Sequence, residues 1–189
     1  MKIFDTEIKE VKVILPDVFY DERGYFFEAF NEKEFKEKVF NTTFLQDHET
    51  ISKYGVLRGL HYQLYPYCQS RLVRVISGNV LNVVLDMRIG SPTFGKYVSV
   101  EISEESHKQL FIPRGFAHAY LVLSELATVQ IKSDNYFNPE FERGVNWIDF
   151  ELDIDWKIPN SDIIVSKKDH DRPLFKYAFL FRYDKNLYI

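Results

Sequence analysis

The sequence predicts a mainly β protein, a jelly-roll sandwich or barrel carrying a few short helices. Three observations predict it. Short apolar segments, several alternating with polar residues, follow one another down to about residue 135. Glycine and proline punctuate them at a spacing suited to such folds. Helix start signals gather at only one early stretch.

Taken in order, Asp21–Glu28 (DERGYFFE) first reads as a turn entering a strand. Asn31 can then cap a helix over NEKEFKEKVF, with Glu32 and Glu34 in its first turn. Val73, Val75 and Ile76 lead to a turn at Gly78. Val80, Asn82 and Val84 on one face and Leu81, Val83 and Leu85 on the other make a strand apolar on both faces. Val98, Val100 and Ile102 alternate with polar residues, and Leu110–Ile112 runs into a turn at Pro113 and Gly115. Ala127, Val129 and Ile131 alternate with Thr128, Gln130 and Lys132, which places the aliphatic set on the interior face. Beyond Pro139 the chain is less regular, and a short helix or turns are expected there. No internal repeat, low-complexity tract or linker is present, so residues 1–189 are expected to form one domain.

Composition narrows the function classes. Hydrophobic residues make up 46% and aromatics 16%, enough for a sizeable core, which argues against disorder. The net charge of −4 gives no bulk basic surface for nucleic acid, though it leaves room for a local cationic pocket. Cys68 is the single cysteine, so no internal disulfide can form and a reducing compartment is expected. The first residues lack the apolar stretch of a signal peptide, and no run approaches a membrane-spanning length. A soluble cytoplasmic protein follows. The five histidines (His48, His61, His107, His118 and His170) include no His-x-His pair, so no metal site is expected.

Three clusters carry polar groups in apolar surroundings. The first is Asp21–Glu28 itself. The second, GVLRGLHYQ at Gly55–Gln63, sets Arg58 and His61 three apart in a strand-like run. That spacing puts them on opposite faces unless a bulge at Gly59 realigns them. The third, IPRGFAHAY at Ile112–Tyr120, sets His118 and Tyr120 on one face, either as pocket groups or as core residues with satisfied polar tips. Periodicity and spacing specify no reaction.

These stretches, taken with FLQDHE at Phe44–Glu49, QSRLVRVISG at Gln69–Gly78, SPTFG at Ser91–Gly95, NPEFERGVNW at Asn138–Trp147 and SKKD at Ser166–Asp169, resemble the dTDP-4-dehydrorhamnose 3,5-epimerase family over nearly the whole chain. The resemblance implies a cupin-type jelly roll, a homodimer, no metal or organic cofactor, and a nucleotide-diphosphate 4-keto sugar as substrate. That sugar is a 4-keto-6-deoxy hexose or a relative such as a heptose, made for a surface polysaccharide of the capsule or lipopolysaccharide kind. By family position His61 is the base and Asp169 its orienting carboxylate. Arg58 and Arg71 supply positive charge near the enolate or diphosphate. Arg23, Glu28, Gln46, Glu142 and Lys168 fall at nucleotide- and sugar-binding positions, Phe26 and Phe137 at base-stacking positions, and His118 at a sugar-pocket position.

The chain departs from the family pattern at several of these positions. Arg71 stands where lysine is usual, His48 where asparagine is usual in the substrate-binding stretch, and Asn82 where aspartate is frequent. The family's proton-donating tyrosine falls at Ile131, which cannot donate. Tyr120, in place of a usual phenylalanine, is the candidate replacement. The expectation is therefore an epimerase that inverts C3, with inversion at C5 in doubt. The alternatives are a full 3,5-epimerase, a 3,4-ketoisomerase with related enolate chemistry, and an inactive sugar-nucleotide-binding cupin.

Overall fold

The computed structural model describes residues 1–188. In chain order it begins with β1 (Lys2–Asp5), β2 (Lys12–Leu15), β3 (Phe19–Asp21), β4 (Gly24–Phe26), α1 (Glu32–Lys38) and β5 (Gln46–Lys53). It continues with β6 (Leu57–Gln63), β7 (Arg71–Ser77), β8 (Asn79–Asp86), β9 (Arg88–Ile89), β10 (Tyr97–Ser103) and β11 (Gln109–Ile112). The last elements are β12 (Phe116–Val122), β13 (Leu126–Ser133), β14 (Glu142–Gly144), α2 (Lys167–His170) and β15 (Phe181–Arg182). Sheet I runs β1-β2-β11-β7-β13-β5 and sheet II runs β10-β8-β12-β6-β14. Among the described residues no helix is long and apolar enough to cross a membrane.

The two sheets stack as a sandwich, as the alternating strands predict. Sheet I contributes Val73, Val75, Leu110, Ala127 and Val129 to the core between them; sheet II contributes Val80, Val84, Phe116 and Val122. The other face of sheet II is also covered. Leu57, Leu60, Leu81, Val83 and Leu85 pack there against Val145, Trp147, Trp156 and Phe181 from the last third of the chain. Burial on both faces explains why β8 is apolar throughout. Complete burial of a side chain such as Leu60, 0% exposed, contributes roughly 1.5–3 kcal/mol.

The predicted helix forms where its signals lie. Asn31 caps it, its side chain accepting from the Glu34 N–H at 3.1 Å. Phe35 anchors α1 to the outer face of sheet I beside Leu72 and Phe111. The hairpin β3–β4 forms at the first sequence cluster. β1 and β2 were not foreseen: β1 is a mostly exposed edge strand of only four residues, too short to display a period.

One irregularity positions the site. β12 pairs His118 with His61 and Tyr120 with Arg58, so three steps along β6 match two along β12. This is the bulge that the Arg58–His61 spacing required. It lets Leu57 and Leu60 face the outer core while Arg58 and His61 face inward. Gly59 accommodates it with a φ of +133°, and a Cβ there would stand 2.5 Å from the Cα of Ala119. Gly59→Ala should therefore destabilise the fold by about 2 kcal/mol or more, read as a lower melting temperature. An unchanged melting temperature would show that the backbone relaxes around the added methyl.

Candidate active site

Both sheets and a later loop contribute walls to one cleft of about 620 Å³. Sheet II provides Arg58 and His61 from β6 and His118 and Tyr120 from β12. Sheet I provides His48 and Thr50 from β5, Arg71 from β7 and Ile131 from β13. The loop before α2 closes a third side with Ile164, Val165 and Ser166, followed by Lys168 and Asp169. A volume of this size suits a small-molecule ligand.

Backbone pairing fixes the third wall. The Ile164 N–H donates to the Gly55 carbonyl at 2.8 Å, and the Leu57 N–H donates to the Ile164 carbonyl at 2.9 Å. The loop is thus tied to the start of β6. Ser166 then caps α2 by accepting from the Asp169 N–H at 3.1 Å, which places Asp169 in the first helical turn. From there the carboxylate reaches His61, with Nε2 and Oδ1 2.5 Å apart. A carboxylate only accepts, so Nε2 carries the hydrogen and Nδ1 keeps the basic lone pair. Burial acts to raise the Asp169 carboxyl. The His61 hydrogen bond, the His61 charge, the Ser166 contact and Arg172 outweigh it and hold the group below the usual carboxylate range.

Charge in the cleft is balanced pairwise. Lys168 Nζ binds Glu142, and Arg172 Nη2 donates to Glu142 Oε2 at 3.1 Å. Burial would raise the Glu142 carboxyl, but the Lys168 hydrogen bond and the charges of His61, Lys168 and Arg172 hold it low. Arg71 donates to the His61 carbonyl and to Gln69 Oε1, each at 3.4 Å. Its burial lowers the guanidinium to about 10, against the pull of Glu142, so it remains charged at neutral pH. Arg58 reaches across to sheet I, where Nε donates to Ser52 Oγ at 3.2 Å. Arg58, Arg71 and Lys168 thus place three cationic groups along the cleft of an acidic chain, Lys168 already paired with Glu142.

His118 is different. It is buried, and its Nε2 lies 3.1 Å from Asn82 Oδ1, while Asn82 Nδ2 donates to the Val100 carbonyl at 3.4 Å. Asn82 therefore accepts from a protonated Nε2. Burial first, then the charges of Arg71 and His61, push the imidazole well below its ordinary value, so it is neutral.

The sequence-predicted residues do not all meet. The cleft gathers His48, Arg58, His61, Arg71, His118, Tyr120, Ile131, Glu142, Lys168 and Asp169. A side extension of about 180 Å³, also bordered by His48, His61 and Arg71, adds Phe137. Gln46 holds the backbone of that residue, its Oε1 accepting from the Phe137 N–H at 2.6 Å. Arg23, Phe26 and Glu28 lie elsewhere. Arg23 is paired with Asp21 at the tip of the β3–β4 hairpin, and Phe26 is 69% exposed. Phe26 and Glu28 border a separate apolar cavity with Phe35 and Leu72, on the α1 side of sheet I. Within one chain, sheet I separates Phe26 and Glu28 from the cleft, and Arg23 does not line it. Among the described residues no group of three or more His, Cys, Asp and Glu side chains is arranged to hold a metal ion.

Three site residues escaped the sequence reading. Thr50 shares the inward face with His48, so the two-residue period of β5 signalled it. Ser166 was signalled by the capping pattern Ser-x-x-Asp. Arg172, whose Nε lies 3.9 Å from Asp169 Oδ1, carried no such signal.

Comparison with known proteins gives a consistent result. The family model described as dTDP-4-dehydrorhamnose 3,5-epimerase matches residues 5–177. A dTDP-4-dehydrorhamnose 3,5-epimerase of Shigella flexneri is 47% identical over 89% of this chain and 93% of its own length. The crystal structure of the Legionella pneumophila dTDP-6-deoxy-D-glucose-3,5-epimerase with dTDP-4-keto-L-rhamnose is 40% identical, with a TM-score of 0.93 over 97% of this chain and 99% of that one. A 3'-monoepimerase from Streptomyces bikiniensis, in complex with dTDP, is 30% identical, with a TM-score of 0.84 over 90% of this chain and 86% of that one. It is a double variant in which a histidine and a tyrosine are replaced, and those two positions have the same separation as His61 and Ile131 here.

The state of His118 has a measurable consequence. The unfolded chain takes up a proton on this side chain below its ordinary value near 6.5, whereas the folded chain does so only at much lower pH. Stability should thus fall as pH drops below about 6.5, by up to roughly 1.4 kcal/mol per pH unit from this group, and be unaffected by it above. Urea unfolding from pH 5 to 8 should show that component in the wild type and not in His118→Gln. Equal slopes in the two proteins would mean that His118 is charged in the folded state.

Proposed function

The chain belongs to the dTDP-4-dehydrorhamnose 3,5-epimerase family, and from that premise we propose that it inverts C3 of a dTDP-linked 4-keto-6-deoxy sugar through an enolate. It is an isomerase that acts on carbohydrate. The observation that carries the reading is the His61–Asp169 hydrogen bond set beside Arg58 and Arg71 in one cleft.

A hydrogen on carbon next to a ketone is acidic because the carbanion delocalises onto the ketone oxygen. Nδ1 of His61 takes that proton, and Asp169 stabilises the imidazolium that results. Arg58 and Arg71 face the negative charge that grows on the C4 oxygen. Neutral His118 offers the sugar an uncharged contact. Lys168 and Glu142 border the diphosphate side, and Phe137, its backbone held by Gln46, supplies a stacking surface for the base. Ile131 makes part of the wall opposite the base aliphatic, which favours one inversion over two.

We extend the reading to a homodimer working in the cytoplasm. β5 is a free edge of sheet I, with Ile51 65% exposed, and the hairpin presents Phe19, Tyr20, Tyr25 and Phe26 to solvent. A second copy that covers this hairpin would bring Arg23, Phe26 and Glu28 toward its own cleft and so gather all the family positions at one site. The lone buried thiol of Cys68 suits a reducing compartment.

Incubation of dTDP-4-keto-6-deoxyglucose in deuterated water should place deuterium at C3 of an inverted product, with little at C5. Stoichiometric label at C5 would show a double inversion instead. His61→Asn should lower turnover by about 10²–10⁴, and near wild-type turnover would remove His61 from the role of base. Sedimentation should give about twice the 22.5 kDa mass of one chain, and a monomer at working concentration would refute the dimer.

A further inference from the structure

Inversion through a planar enolate needs a proton donor on the face opposite the base. His61 belongs to sheet II, so that donor must act from the side of sheet I. There the wall is Ile131, paired with Val73 on one side and His48 on the other, and an aliphatic side chain has no proton to give.

We propose that Tyr120 is the acid, with Thr50 as the residue that positions it and stabilises its anion. This rests on the epimerase reading above. Tyr120 originates in sheet II and is only 3% exposed, its ring set in the core between the sheets. Its hydroxyl nevertheless reaches sheet I, where it lies 2.6 Å from Thr50 Oγ1. Thr50 pairs with Val129, two residues along β13 from Ile131. The phenol oxygen is thus delivered to the wall that lacks a donor, close to the position that lost it, and Tyr120 lines the same cleft as His61.

The Thr50 hydroxyl has two partners to choose between. Besides the phenol it has the Val129 carbonyl, at a long 3.5 Å. It can accept from the phenol before transfer and donate to the phenolate after it, giving up only a weak bond to do so. In the step itself the Tyr120 O–H bond breaks and its electron pair stays on the phenolate oxygen. The enolate C=C pair forms the new C–H bond at C3, and the C4 carbonyl is restored. Solvent then reprotonates the phenolate, and His61 returns its proton to water, so atoms and charge balance over the cycle. Besides Thr50, the other donors that this sheet sends into the main cleft are Arg71, a guanidinium that keeps its charge, and His48, an exposed side chain at the mouth shared with the Phe137 extension, where Ser133 lies.

The test follows dTDP-4-keto-6-deoxyglucose in deuterated water with two readouts, exchange at C3 and appearance of the inverted epimer. In Tyr120→Phe, His61 still removes and returns the C3 proton on its own face, so exchange should persist while inversion falls about 10²-fold or more. Thr50→Val should slow inversion roughly tenfold, and Thr50→Ser, which keeps the hydroxyl, should restore it. The threonine pair also serves if Tyr120→Phe proves poorly folded by circular dichroism. Inversion within threefold of wild type in Tyr120→Phe would overturn the assignment. So would equal impairment of Thr50→Val and Thr50→Ser. Loss of inversion in His48→Asn, with inversion intact in Tyr120→Phe, would move the acid to His48. Absence of C3 exchange in the wild-type protein would instead refute the epimerase reading on which this rests.

Discussion

The extra residue in β6 sets the terms for the rest of the molecule. In a regular strand, residues three apart project to opposite sides, so Arg58 and His61 could not share a cleft. The bulge at Gly59 turns both inward, and it also turns Leu57 and Leu60 outward, where the last third of the chain packs against them. Site geometry and outer core thus share one backbone irregularity. Loss of it would face Leu60 toward the substrate and a charged group toward tryptophans. The close approach of Ala119 explains why the position is glycine.

Inside the cleft, electrostatics are arranged by pairing rather than by excess. Glu142 and Asp169 are engaged by cations or by His61, so neither stands as an isolated negative charge in the path of an anionic ligand. Among the described residues Arg58 and Arg71 make one and two hydrogen bonds, which leaves most of their donors unengaged there. His118 is the counterpoint. An aspartate at position 82 would favour an imidazolium, whereas Asn82 accepts a hydrogen bond without adding charge. A further positive charge near Arg71 is thereby avoided.

Much of this was legible in the sequence because it depends on local rules. The alternation of Ala127, Val129 and Ile131 put Ile131 on the inner face, and the two-residue spacing of His118 and Tyr120 put them side by side. Asn31 marked the start of α1. What the sequence hid depends on tertiary placement. Nothing local indicates that the phenol of Tyr120 meets Thr50 in the facing sheet, or that Arg172 approaches Asp169. Family resemblance grouped Arg23, Phe26 and Glu28 with the other site residues, yet none of the three lines the cleft and sheet I stands between it and Phe26 and Glu28, a relation only the three-dimensional arrangement expresses.

The His61–Asp169 pair joins residues 108 positions apart. β6 is complete early in synthesis, but the helix that orients its histidine emerges only after all five strands of sheet II have left the ribosome. Nascent chains can therefore assemble much of the sandwich with an unoriented imidazole. The orienting contact forms last in chain order, once the loop before α2 has closed on Gly55 and brought Asp169 to His61.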